Sequence, residues 1–202
     1  PMSSPHPRRT FIQATAAALA TVPFSAAALN GQSARPRTAG DSLIARENQK
    51  PGDNWQLARV RVDQGARVRM GTRSPWIEGY CSHQSIQAGE TLEVMVSTNP
   101  ARGVMLEVFR MGYYGGKGAR RVATIGPTPG HPQPTPGEGK GRVRECTWEP
   151  SLRIVIPPDW VSGVYLGRLT TVPGYTREPY WQSFVVFIVR DTRPADVIFQ
   201  CS

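Results

Sequence analysis

The chain has 202 residues, 39% of them hydrophobic and 19% charged, with a formal net charge of +9. That suffices for one packed domain with flanking segments, while 20 Gly and 19 Pro favour turns over long helices. Beyond the N-terminus no apolar run of about 20 residues could anchor the chain in a bilayer. The dispersed arginines, among them Arg59, Arg61, Arg67, Arg69, Arg142 and Arg144, form no compact run with interleaved aromatics. They read as a solvated face rather than a nucleic-acid site.

Taken in order, residues 1–28 read as a twin-arginine signal peptide. Arg8 and Arg9 are followed by Thr10, Phe11 and Ile12, then by an Ala-rich apolar run. Ala26 and Ala28 supply a small-x-small cleavage site. The expectation is export to the periplasm or beyond by the twin-arginine route, with no stable membrane anchor. Residues 29–54 are polar and interrupted by Pro36, Gly40, Pro51 and Gly52, and read as a linker.

From 55 to 190 period-two alternation dominates. It occurs at Val60 and Val62, at Leu92, Val94 and Val96, and at Leu152, Ile154 and Ile156. Two further strands are predicted at 163–169 and at 181–189, the latter apolar on both faces and therefore central. The proline run between Gly126 and Gly141 is predicted as an exposed loop. Tyr165, following Ser162 and Gly163 at a strand start, resembles the tyrosine corner of immunoglobulin-like sandwiches, a folding device. The fold class is mostly β: an immunoglobulin-like antiparallel β-sandwich preceded by a signal peptide. Residues 191–202 read as a polar hinge followed by Val197, Ile198 and Phe199, the start of a second, truncated domain. A final edge strand of the same sandwich is the alternative.

Few residues could carry chemistry. The stretch from Arg110 to Arg120 is rich in glycine, yet it has neither P-loop nor GxGxxG spacing. It reads as a hairpin turn flanked by its tyrosines. His6 falls in the signal and His131 in the proline run, leaving His83 near Ser82 and Ser85. Strand alternation would point Ser82 and His83 to opposite faces. Glu78, Glu90 and Glu93 look like solvated strand edges rather than a catalytic pair. No metal-ligand spacing occurs, so no catalytic, cofactor or metal residue is expected in the chain. Cys81 and Cys146 are a disulfide candidate, since an exported protein can hold a bridge. Closing that 65-residue loop could stabilise the fold by about 4 kcal/mol. Two buried free thiols are the alternative, with Cys201 belonging to the next domain.

Several stretches together resemble a known family. Residues 76–82, 88–91, 154–165 and 195–202 are similar to the N-terminal region of N,N-dimethylformamidase large-subunit-like proteins. Arg110, Gly112, Tyr113, Tyr114, Gly115 and Gly116 are the most specific match. The resemblance implies a β domain preceding a larger α/β domain that holds the amide-hydrolysing site and, in the dimethylformamidase itself, a mononuclear iron. On that basis the expected function is a non-catalytic N-terminal β domain of an exported amide C–N hydrolase-like protein, partnered by its own C-terminal catalytic domain. The alternative is a stand-alone carbohydrate- or partner-binding module using Trp160, Tyr175, Tyr180 and Trp181.

Overall fold

In the computed structural model, residues 42–60, 74, 76–172 and 179–194 are described. By its contacts the chain divides into Pro1–Pro36, outside the described residues, and Arg37–Ser202, which carries everything below. The expected signal peptide with Arg8, Arg9, Ala26 and Ala28 therefore lies outside the described residues, as do Val62, Tyr175 and 195–202. Among the described residues no helix is long and apolar enough to cross a membrane.

A short helix, α1 (Leu43–Asn48), precedes eight strands. These are β1 (Glu78–Cys81), β2 (Ser85–Gln87), β3 (Thr91–Ser97), β4 (Gly103–Met111), β5 (Ala119–Pro129), β6 (Pro150–Val155), β7 (Gly163–Thr171) and β8 (Gln182–Arg190). They form a three-stranded sheet β1-β3-β6 and a five-stranded sheet β2-β8-β7-β4-β5. All pairings are antiparallel except the short β2, which runs parallel to β8. The chain crosses between sheets at β1 to β2, β2 to β3, β3 to β4, β5 to β6 and β6 to β7. This is the connectivity of an immunoglobulin-like sandwich. A proline-rich loop, 130–149, stands between β5 and β6.

Alternating residues fill the space between the sheets. Leu92, Val94 and Val96 of β3 and Leu152 and Ile154 of β6 meet Val104, Leu106 and Val108 of β4 and Val185, Phe187 and Val189 of β8. Tyr165 forms the tyrosine corner: its hydroxyl donates to the Val161 carbonyl at 2.7 Å. Its ring stacks on Trp160 and Phe187, with centroids 5.1 and 5.5 Å away. The second cysteine of antibody domains sits two residues after this tyrosine, a position held here by Gly167. A Cβ there would lie 2.7 Å from Val185 and 2.8 Å from Leu106, so aliphatic packing fills that space.

The proline run behaves in part as its residues require. Pro127 and Pro129 sit in β5, so the first part of the run expected to be an exposed loop is strand instead, on a sheet edge where proline is tolerated. β8 is less central than its apolar faces imply. β2 covers only its last three residues, so β8 is an edge over its first half.

Candidate functional site

The glycine-rich motif is the tip of the β4–β5 hairpin. Gly112 donates to Gly118 at 3.0 Å, and Gly116 donates to Tyr113 at 2.8 Å. Tyr114 (φ 41°), Gly115 (64°) and Gly116 (86°) are all left-handed. Two of these three positions being glycine is thus explained by backbone geometry. Tyr114 adopts a conformation that a bulky residue resists at a cost of about 1–3 kcal/mol, so tertiary bonds must hold it.

Those bonds form a buried polar chain. Arg110, 4% exposed, points inward from β4. Its guanidinium donates to the carbonyls of Val161 (3.1 Å), Ser162 (2.9 Å) and Met111 (3.2 Å) and to the Tyr114 hydroxyl (2.9 Å). The hydroxyl donates to Glu47 of α1 at 3.0 Å. Glu47, 2% exposed, also takes bonds from Arg120 at 2.6 and 2.9 Å and from Lys50 at 2.7 Å. Burial alone would raise the Glu47 pKa, but the bonds from Lys50, Arg120 and Tyr114 outweigh it and hold the carboxyl at about 2. Burial, the largest influence on Tyr114, raises the phenol's pKa.

Downstream of α1 the chain straps the outer face of the five-stranded sheet, where a linker was expected. Asn48 accepts from the Tyr113 N–H at 2.8 Å, and Asp53 accepts from the Arg121 N–H at 2.8 Å while donating its own N–H to Ala119. The Trp55 indole donates to Lys117 at 3.1 Å, and its ring lies 6.1 Å from Phe184. Arg168 donates to the Asn54 and Gln56 carbonyls, and Gln182 accepts from the Ala58 N–H. These residues are polar because they replace strand partners along the sheet. Polarity alone reads as a linker.

The remaining candidates come together differently. β1 ends at Cys81, so alternation does not govern Ser82 and His83, and they do meet: Ser82 Oγ and His83 Nδ1 are 3.0 Å apart. The Ser82 oxygen also accepts from the Glu93 N–H at 3.1 Å. Among the described residues no carboxylate bonds the imidazole, so the contact lacks the orienting acid of a triad. Glu93 pairs with Arg153 across β3 and β6, and Glu90 accepts from the Gln87 N–H.

The expected Cys81–Cys146 bridge is not formed; both thiols are free. Neighbouring side chains on β1 point to opposite faces. Tyr80 faces outward, where its ring packs at a tilt against Trp148 and its hydroxyl donates to the Cys146 carbonyl at 3.2 Å. Cys81 therefore faces inward, against the core. Burial pushes its thiol up to about 12.

Of the aromatics considered as a binding platform, Trp160, Tyr180 and Trp181 lie among the described residues. Trp160 and Trp181 pack against the core, and Arg59 lies 5.3 Å over the Tyr180 ring. Tyr180 lines a concavity of about 250 Å³ with Glu107, Thr170 and Gln182, smaller than usual ligand sites. Two of its polar groups are occupied: Glu107 pairs with Arg121 and Arg168, and Gln182 bonds Ala58 and Thr170. Among the described residues no group of three His, Cys, Asp or Glu side chains converges, so they offer no donor set for iron.

Residues 105–202 match the family model described as N,N-dimethylformamidase beta subunit-like, C-terminal. The match opens inside β4 and takes in the hairpin tip, the tyrosine corner and β8; α1, the strap and β1–β3 precede it. It agrees with the family to which the sequence motifs point. It does not support their placement in an N-terminal region or a large subunit. No curated protein matches the chain. Among solved structures, domain 1 of VCBP3 from Branchiostoma floridae is similar over 57% of this chain and 95% of its own, at 15% identity and a TM-score of 0.32.

Proposed function

We propose that the chain is a non-catalytic β-sandwich domain of an exported N,N-dimethylformamidase-like protein. Amide hydrolysis, with any iron it uses, belongs to another part of that protein, and the sandwich is a rigid carrier for it. The family match over 105–202 supports the kinship. The observation that carries the role is the fate of the motif: Arg110 and Tyr114 are buried and committed to internal bonds. A group that must bind substrate needs free donors or acceptors, and these two spend theirs on carbonyls, Glu47 and each other. The test is an ammonia- or amine-release assay on the purified chain with dimethylformamide and short aliphatic amides. The expected rate is that of buffer, with or without added ferrous or ferric iron. Turnover above buffer would sink the proposal. Export is checked separately by changing Arg8 and Arg9 to Lys, which should leave the protein in the cytoplasm.

A further inference from the structure

The outer face of the five-stranded sheet holds the strap largely by the strap's main chain. Arg168 of β7 donates from Nη1 to the Asn54 carbonyl at 3.1 Å and to the Gln56 carbonyl at 3.0 Å. The Gln182 side chain of β8 accepts from the Ala58 N–H at 2.8 Å, and the Gln182 N–H donates to the Arg59 carbonyl at 2.8 Å. Both side chains are held in place. Glu107 fixes Arg168 at 2.7 and 2.9 Å, and the guanidinium lies 4.9 Å over the Phe109 ring. Thr170 anchors the Gln182 amide at 3.1 Å. Along the strap, Trp55 and Leu57 are half-buried, while Asn54, Gln56 and Ala58 are exposed. Trp55 meets Phe184 and the Lys117 carbonyl, and Asp53, two residues earlier, accepts from the Arg121 N–H of β5. Main-chain bonds that give affinity, with alternate side chains that give specificity, are how folded domains take up extended peptides.

We propose that Arg168, Gln182, Phe184 and the Arg121 N–H form a binding site for an extended peptide, occupied in this structure by residues 53–59 of the same chain. Its ligand is a partner's peptide with an acidic residue, an aromatic two places on and an aliphatic two places further. The positions between make no demand on side-chain type, because their counterparts in the strap point to solvent. The seated strap is the model for that ligand. Neither Trp55 nor Leu57 belongs to the core between the sheets, so the segment can leave without opening the sandwich. Tethering gives it an effective concentration of roughly millimolar. A partner's peptide therefore enters by displacing a competitor built into the chain.

The test is fluorescence anisotropy of a labelled synthetic peptide of residues 51–60 added to the full chain. Trp55→Ala and Glu47→Ala loosen the strap at different points, and each should bind the peptide about tenfold or more tightly than wild type does. In wild type, peptide at roughly millimolar concentration should open the strap to limited proteolysis between residues 42 and 60. A peptide N-methylated at Ala58 loses the bond to Gln182 and should bind about tenfold more weakly. A peptide carrying Gln56→Ser and Ala58→Ser keeps every main-chain bond and should bind within about twofold of the original. Absence of binding to both variants, with a wild-type strap that stays resistant to protease, overturns the proposal. Equal binding of the N-methylated peptide overturns it too, as does a loss from the two serine changes as large as that from N-methylation.

Discussion

Replacing Glu47 by Ala should detach the strap. The carboxylate is buried, and its four bonds come from Tyr114, Lys50 and two nitrogens of Arg120. Its pKa of about 2, against an ordinary 4.5, reflects those bonds outweighing the burial that would raise it. A gap of that size corresponds to about 3 kcal/mol in favour of the ionised, docked form. Removing one side of a buried ion pair costs about 3–5 kcal/mol. Lys50 is half-exposed and adds little, so the lower end applies. For a chain of this length about 3 kcal/mol lowers the melting temperature by roughly 6–12 °C. Calorimetry reads that change, and limited proteolysis between residues 42 and 60 reads the strap directly. The folded pKa lies below the unfolded one, so the carboxylate's contribution is full above about pH 4.5 and fades as pH falls toward 2. The difference between wild type and Glu47→Ala should shrink across that window. A variant that melts with the wild type at pH 7, its strap equally resistant to protease, would refute the clamp.

Three further outcomes are expected. Gly112→Ala would drive a methyl into the Asn48 side chain and the Tyr114 ring; overpacking of this kind costs about 1–3 kcal/mol, read by thermal melting. Tyr165→Phe removes the 2.7 Å bond to the Val161 carbonyl and should cost about 1–2 kcal/mol in urea unfolding, with an unchanged m-value. In native protein a thiol reagent should modify the exposed Cys146 quickly, while Cys81, its pKa raised by burial, reacts only after unfolding; fast native reaction at Cys81 would contradict its inward placement.

The strands were legible because burial on one face writes period two into the sequence. β3, β6 and β7 appear where Leu92, Leu152 and Tyr165 place them, and the tyrosine corner has the bond its local pattern demands. Helix α1 was not legible. Six residues span less than two turns, too few to display a 3.6 period. The local signal was Ser42, whose hydroxyl caps the Ala45 N–H at 3.0 Å. Nothing near Glu47 marked it for burial, because Tyr114 and Arg120 lie 67 and 73 residues away. The strap looked like a linker for the same reason: its partners are backbone groups of distant strands, and polar side chains that bond distant backbone have the composition of side chains that bond water.

β8 poses the opposite problem, a signal stronger than the fold it belongs to. An apolar strand on both faces implies cover on both faces. Among the described residues, cover on the outer side stops near Phe184, and Val186 lies open. On the three-stranded sheet Glu93 and Arg153 meet solvent beside an exposed Val155, whereas Val164, Leu166, Val186 and Ile188 of the five-stranded sheet gather on one outer patch. At Phe184 the outer apolar face is explained by Trp55, a residue far away in the sequence. β8 thus owes part of its second apolar face to the strap and not to a further layer, and no window of its own residues distinguishes the two.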